Sequence, residues 1–237
     1  MSHHVIASSR FNFYQAVHKG LRAFMADTVV RVGRTDPDDA QECAECAEQV
    51  RTLLHVCAEH LAHENRFIHP AMTRCAPGSA AQVETEHEEH LAHIADLRET
   101  LAGALSAGPD ERAERWTRLY HELSLFVADN LSHMLLEERD HNAVLWQHYS
   151  DQELIVLHDE LVASIPPDEM ALHFRWMLPN VSHAERVGML QGMRQGMPAE
   201  VFASQLDMAR PLLDARSWLK VKAAFQSDIV VPQEKLA

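Results

Sequence analysis

Glycine is scarce, at 8 of 237 residues, and runs of β-branched residues are few, so the chain disfavours sheet and favours helix. No stretch of about 18 apolar residues occurs, so nothing is expected to span a membrane. Basic residues are in deficit: 21 Lys and Arg face 35 Asp and Glu, a net charge of −14. A nucleic-acid or anionic-membrane partner is thereby excluded, because phosphate binding needs a basic face. Cysteines stand only at 43, 46, 57 and 75, too few and too irregular for a disulfide framework. The lone C-x-x-C of Cys43 and Cys46 lacks the second pair that structural zinc would want. The segment "MSHHVIASSRFNFYQ" shows no charged n-region followed by an apolar h-region, so no signal peptide is expected and the cytoplasm is the expected compartment. No Ser-His-Asp or Cys-His arrangement and no phosphate loop is recognisable.

What the chain has is histidine: 17 residues, 14 of them before residue 150. That part of the chain reads as four long helices. The first is expected over Ser9–Val32, stopping at Gly33. The second starts at Asp36-Pro37, a cap followed by a proline at the first helical position, and runs to Ile68 before Pro70. The third opens with a capping box at Ser79 and Gln82 and runs to Ser106. The fourth is capped by Asp110, after Gly108-Pro109, and continues to His148. Short connections make neighbours antiparallel, so the expectation is all-α: an up-down-up-down four-helix bundle over 9–148. Residues 150–228 are cut by Pro166-Pro167, Pro179, Pro198 and Pro211 into short helices, with capping boxes at "SDQE" and "SHAE" and a cluster of methionines. They read as a smaller α-helical module packed on the bundle or mediating self-association.

The apolar stripes are regular, and where they break they carry chemistry. On the second helix Val50, Leu53, Leu54, Cys57, Leu61 and Phe67 share a face with His60 and Glu64. A glutamate on a buried stripe is costly unless paired or metal-bound. On the fourth helix Leu119, Leu123, Phe126, Val127, Met134 and Leu145 accompany His133 and Glu137, the same H-x-x-x-E spacing. The third helix carries His87 and His90 beside Leu91, Ile94, Leu97, Leu101 and Leu105. On the first, His18 interrupts Phe11, Tyr14, Leu21 and Met25. Counting at about 1.5 Å per residue from the helix ends puts these groups within a turn or so of one height. Four or more imidazoles with two carboxylates at one level form a metal site. Mixed N and O donors suit iron, manganese or zinc, and two carboxylates that can each span two ions suggest a dinuclear one. His55 with Glu59 has the same spacing but falls off the stripe. His63, His69, His93, His121, His141 and His148 read as surface or rim, and His158, His173 and His183 as structural.

His18, "HLAHENRFIHP" (60–70), "EHEEH" (86–90) and "HMLLEE" (133–138) together resemble the hemerythrin-like, or HHE cation-binding, domain. The resemblance covers about residues 9 to 148 and implies a four-helix bundle holding a non-haem diiron centre. Carried over by position, it implies terminal ligands at His18, His60, His87 and His133 and bridging carboxylates at Glu64 and Glu137. The oxygen carriers of this family have H-x-x-x-H on the third helix, whereas Glu86 lies four before His90 and Leu91 four after His87 here. They also space the fourth-helix carboxylate five residues from its histidine, a spacing that selects Glu138, so both pairs of alternatives stay open. The C-terminal module resembles extensions of bacterial members.

The expected function is a metal-binding protein whose non-haem iron site, dinuclear, binds or senses O₂, NO, peroxide or iron. The other reading is a regulatory interaction protein, its metal structural and its C-terminal module docking a partner or a second copy of the chain. No proton donor or substrate cavity is identifiable, so no catalytic turnover is assigned.

Overall fold

A computed structural model describes residues 10–225. The expected helix start at Ser9, the end of the second module at 226–228 and residues 1–9 of the segment expected to hold no signal peptide lie outside the described residues. Those described are mainly helical, without strands, and none of their helices is long and apolar enough to cross a membrane. They form two compact units that meet at Pro166 and Pro167.

The first unit is the up-down-up-down bundle. Its long helices are α1 (Gln15–Arg34), α2 (Ala40–His63), α4 (Ala81–Ser106) and α5 (Pro109–Leu136). Each packs on two neighbours, α1 and α4 both lying against α2 and α5. After α2 and α5 the helical path continues through one π-helical turn each, Glu64–Ile68 and Glu137–His141, into α3 (His69–Cys75) and α6 (Asn142–His148). The helix α7 (Asp151–Ser164) follows. The sequence reading placed α7 in the second module; instead it belongs to the first unit, where Leu154, Leu157 and Leu161 join Phe13, Tyr14, Ile68, Met72 and Leu145 in closing one end of the bundle.

Several helix boundaries differ from expectation for local reasons. α1 begins at Gln15 because the Asn12 side chain accepts the backbone N–H groups of Tyr14 and Gln15. Upstream, Arg10 and the Phe11 N–H are tied to Asp151. Gly33 lies inside α1: a Cβ there would come within 2.9 Å of Tyr120 Cε2, so close helix approach, not chain termination, uses this glycine. Pro70 does not end its helix. A proline ring clashes with the carbonyl four residues back, and the π turn directly before it shifts the bonding, His69 N–H donating to Glu64 C=O. Ser79 makes no capping box: α4 starts at Ala81 after Ala80, without a side-chain cap. Gly108 is the N-cap of α5, so Asp110 falls in its first turn.

The stripes of α2 and α5 are buried as read, except that Phe67 is half-buried. On α4 the core follows Val83, His87, His90, Ile94, Leu97, Leu101 and Ala104. Leu91 and Leu105, expected in the core, are 44% and 40% exposed, because the 3-and-4 steps run one residue ahead of them. Cys43, Cys46 and Cys57 are buried free thiols.

The second unit consists of α8 (Pro167–Asn180), α9 (His183–Gly196), α10 (Ala199–Ala209) and α11 (Ala215–Ala224), with a 3₁₀ turn at Arg210–Leu212. Both expected capping boxes form, at Ser150 with Glu153 and Ser182 with Glu185. The core is Leu178, Leu190, Phe202, Leu206, Ala209, Val221 and Phe225, with Met189, Met193 and Met197 packed against it as fillers. Buried Arg186 donates to the carbonyls of Leu178, Pro179 and Val181 and so satisfies the C-terminal end of α8.

The α4 register is testable by a pair of truncations. Leu97→Ala is expected to destabilise the protein by about 2–5 kcal/mol, and Leu91→Ala by no more than about 0.5 kcal/mol, in urea denaturation. Equal losses would contradict the register.

Candidate metal centre

Each bundle helix contributes to one buried cage. α1 supplies His18, α2 His60, α4 His87 and α5 His133, and the two carboxylates, Glu64 and Glu137, each open a π turn. Wide turns of this kind re-aim side chains and concentrate at functional sites. The i, i+4 spacing then sets His60 above Glu64 and His133 above Glu137 on the inner faces.

The donor atoms fall into two groups. His18, His60, Glu64 and Glu137 bring one ligand atom each within 4.8 Å of one another, and so do Glu64, His87, His133 and Glu137. Both groups contain both carboxylates. The Nε2 atoms of His18 and His60 are 3.2 Å apart, as are those of His87 and His133. Glu64 turns Oε1 to His60 and His18 Nε2, at 3.3 and 3.8 Å, and Oε2 to His87 Nε2, at 3.4 Å. Glu137 does the converse, with Oε1 at 3.3 Å from His133 and 3.6 Å from His87 Nε2, and Oε2 at 3.5 Å from His18 Nε2. Each carboxylate thus presents one oxygen to each histidine pair.

The outward ring nitrogens are held by acceptors. His18 Nδ1 lies 3.1 Å from Glu138 Oε1, which also takes a bond from Arg22. His87 Nδ1 lies 2.8 Å from Asn65 Oδ1, and His133 Nδ1 2.8 Å from Glu86 Oε2. An acceptor at Nδ1 keeps the proton there, so Nε2 presents a lone pair. The paired Nε2 atoms of His87 and His133, close to carboxylate oxygens, would therefore repel one another unless a cation lay between them.

Burial sharpens this. His18, His87, His133 and both carboxylates are buried, and the His60 side chain is 11% exposed. All four oxygens of Glu64 and Glu137 are buried without a well-aligned hydrogen bond. Burial, then the adjacent charge of Glu137, pushes the Glu64 carboxyl well above its usual range. In Glu137 burial acts in the same sense, but His133, His87 and His18 outweigh it and hold the group well below that range. Two buried carboxylates without hydrogen bonds are the groups that a metal ion satisfies.

Of the expected site residues, His18, His60, Glu64, His87, His133 and Glu137 are brought together. Glu138, the alternative to Glu137, points outward to His18 Nδ1. His90 belongs to neither group. Three residues beyond His87, it sits one turn further along the bundle, packed edge-on to His133 and Phe126. His69 and His141 are buried and, with Glu137, form a third group. His69, five residues after Glu64, is turned off the stripe by a regular 3.6-residue period and brought back by the π turn. His141, four residues after Glu137, continues the stripe and is buried, which corrects its expected place at the rim.

A four-helix bundle with histidine and glutamate donors converging near one end of its long helices defines a metal-binding bundle protein. Residues 11–143 match the hemerythrin HHE cation-binding domain, and the chain belongs to that family. No curated protein and no solved structure matches it.

The supports for the imidazoles are predicted to matter in proportion to their reach. Asn65→Ala and Glu138→Ala, which leave every cage residue in place, are expected to weaken metal binding about 10- to 100-fold. Chelator competition measures this; wild-type affinity in both variants would contradict the supporting role.

Proposed function

We propose that the cage holds two iron ions, one between His18 and His60 and one between His87 and His133, with Glu64 and Glu137 spanning both. The observation that carries this reading is the sharing of both carboxylates by both groups, one oxygen to each. Imidazole and carboxylate donors without thiolate suit non-haem iron, and two histidines with carboxylate leave coordination positions open. Iron so held supplies a reversible redox couple and a binding position for a small molecule such as O₂, NO or peroxide.

The chain's own residues do the rest. The four imidazoles and two carboxylates hold the ions and offset their charge. Glu138, Asn65 and Glu86 fix the rings, so that no donor needs to reorganise on loading. Leu53, Leu61, Phe126 and Met134, buried on the helices that carry the donors, add hydrocarbon to the surrounding core. A function in binding or sensing a small oxidant or diatomic ligand follows from a site of this kind. The donor arrangement alone favours no substrate transformation, so we assign none.

Protein purified anaerobically and then exposed to air tests the proposal. The expected result is about two irons per chain with a new oxo-bridge absorption band; one zinc per chain would overturn it. His60→Ala combined with Glu64→Ala is expected to lose the metal and lower the melting temperature. Wild-type metal content in that variant would mean that the ligands lie elsewhere.

A further inference from the structure

One turn beyond the cage, toward the end closed by α7, lies a second layer of polar side chains: Tyr14, His69 and His141. Each lies about one turn from a cage residue on its own helix. Tyr14 precedes His18 by four residues, His69 follows Glu64 by five and His141 follows Glu137 by four. All three are buried. His69 stacks on His87, ring centroids 4.9 Å apart, and meets His141 edge-on at 5.6 Å. The Tyr14 hydroxyl lies 3.1 Å from His141 Nδ1. Next outward come Phe13, Ile68, Met72, Leu145 and Leu154, which are apolar.

This layer is incompletely satisfied. Both ring nitrogens of His69 and Nε2 of His141 are buried without a hydrogen-bond partner. His69, His141 and Glu137 each offer a donor atom within 4.8 Å of the other two, and His69 Nδ1 also lies 4.0 Å from Glu84 Oε1. An imidazole carries at least one N–H donor whatever its protonation state, and buried donors of this kind are seldom left unmade.

We infer that His69 and His141, backed by Tyr14, form a hydrogen-bonding pocket for the small anionic or oxygen-donor ligand of the metal centre. The inference rests on the dinuclear reading above. Two divalent ions with two bridging carboxylates leave a positive balance, which draws a small anion, and the unpaired imidazole nitrogens adjoin the carboxylate that both ions share. A third cation fits the same place poorly. It would share Glu137 with two ions already there and bring no carboxylate of its own. An apolar pocket would bind a ligand through the metal alone; this one adds donors, and so favours anionic ligands over neutral diatomics.

The full-length, iron-loaded, oxidised protein tests this with azide as probe, titrated by its charge-transfer absorption, with iron content measured on the same samples. His69→Leu and His141→Leu are expected to keep wild-type iron content and to weaken azide binding about tenfold or more. His69→Gln, which keeps an N–H donor, is expected to stay within about threefold of wild type. Unchanged azide affinity at wild-type iron content overturns the pocket. Loss of iron in the leucine variants also overturns it, by making these residues ligands. A third metal in the wild type, lost in the variants, overturns it in favour of a cation site. Failure of the wild type to take up an iron pair would bring down the underlying reading as well, and is recognised before any azide is added. Tyr14→Phe removes only a hydroxyl and covers the case of a leucine variant that does not fold. Its azide affinity is expected to fall about threefold or more, and an unchanged value overturns the proposal.

Discussion

Two carboxylates, Glu64 and Glu137, lie side by side in the core of a helical bundle with no hydrogen bond to any of their four oxygens. The rest of the first unit can be understood as a response to them. Burying one ionised carboxylate costs several kcal/mol even after relaxation, and here the second adds direct repulsion. In the protein alone part of the cost is relieved by protonation, which is why the Glu64 carboxyl is driven upward by burial and by its neighbour. Three imidazoles whose Nδ1 atoms face outward acceptors give no lasting relief, because they present lone pairs to the same space. Only positive charge at the centre satisfies all six side chains at once, and a cation-binding family is where this chain belongs.

Both carboxylates open a π turn, and this shared device shapes the site. In an uninterrupted α-helix the residues following Glu64 and Glu137 would continue the apolar stripe. The added residue after Glu64 instead rotates the rest of that helix and carries His69 back toward the centre, where it meets His141, four residues after Glu137. The same turn allows Pro70 to sit within a continuing helical path. Beyond it, α3 and α6 pack on each other, and α7 closes the end with Leu154. The polar layer of Tyr14, His69 and His141 is therefore enclosed between the cage on one side and an apolar plug on the other.

The legible part of this arrangement is the part that obeys a regular helical period. His60, Glu64, His133 and Glu137 stand out because polar letters replace apolar ones on a 3-and-4 stripe, and His18 stands out for the same reason on α1. His87 and His90 were harder to separate. Both lie on the buried face of α4, and only the height of the neighbouring helices shows that His87 meets the carboxylates while His90 meets Phe126. Leu91 and Leu105 look like core residues because leucine was weighed above register. His69 was illegible because no local rule places a π turn, and Pro70 read as a helix stop although the π turn accommodates it. His141 continues the stripe of His133 and Glu137 but reads as rim, because it lies beyond the level of the other donors. Ser79 and Gln82 have the letters of a capping box, yet Ser79 Oγ is buried without a partner. Packing of the connection, not the letters, decides where α4 starts.

The supports of the imidazoles follow a cross-braced pattern that ties the site to the fold. Asn65, the residue after Glu64, holds His87 on α4, and Glu138, the residue after Glu137, holds His18 on α1. Each carboxylate and the support for an imidazole on another helix are thus adjacent on one π turn, so a turn cannot shift to relax one without displacing the other. The two braces differ in charge. Glu138 is an anion that burial opposes but His18 and Arg22 hold ionised, whereas Asn65 is neutral. An anionic acceptor at Nδ1 makes its imidazole a stronger donor at Nε2 than an amide does. His133 has an anionic acceptor too, in Glu86, and its pKa rises because its contacts with Glu137 and Glu86 outweigh burial. His87 is therefore held by a weaker acceptor than His18 or His133, and it is the ring on which His69 stacks. The cage has nearly matched donors in its two halves, but its outer contacts are unequal, and the neutral brace lies on the side of the incompletely satisfied layer.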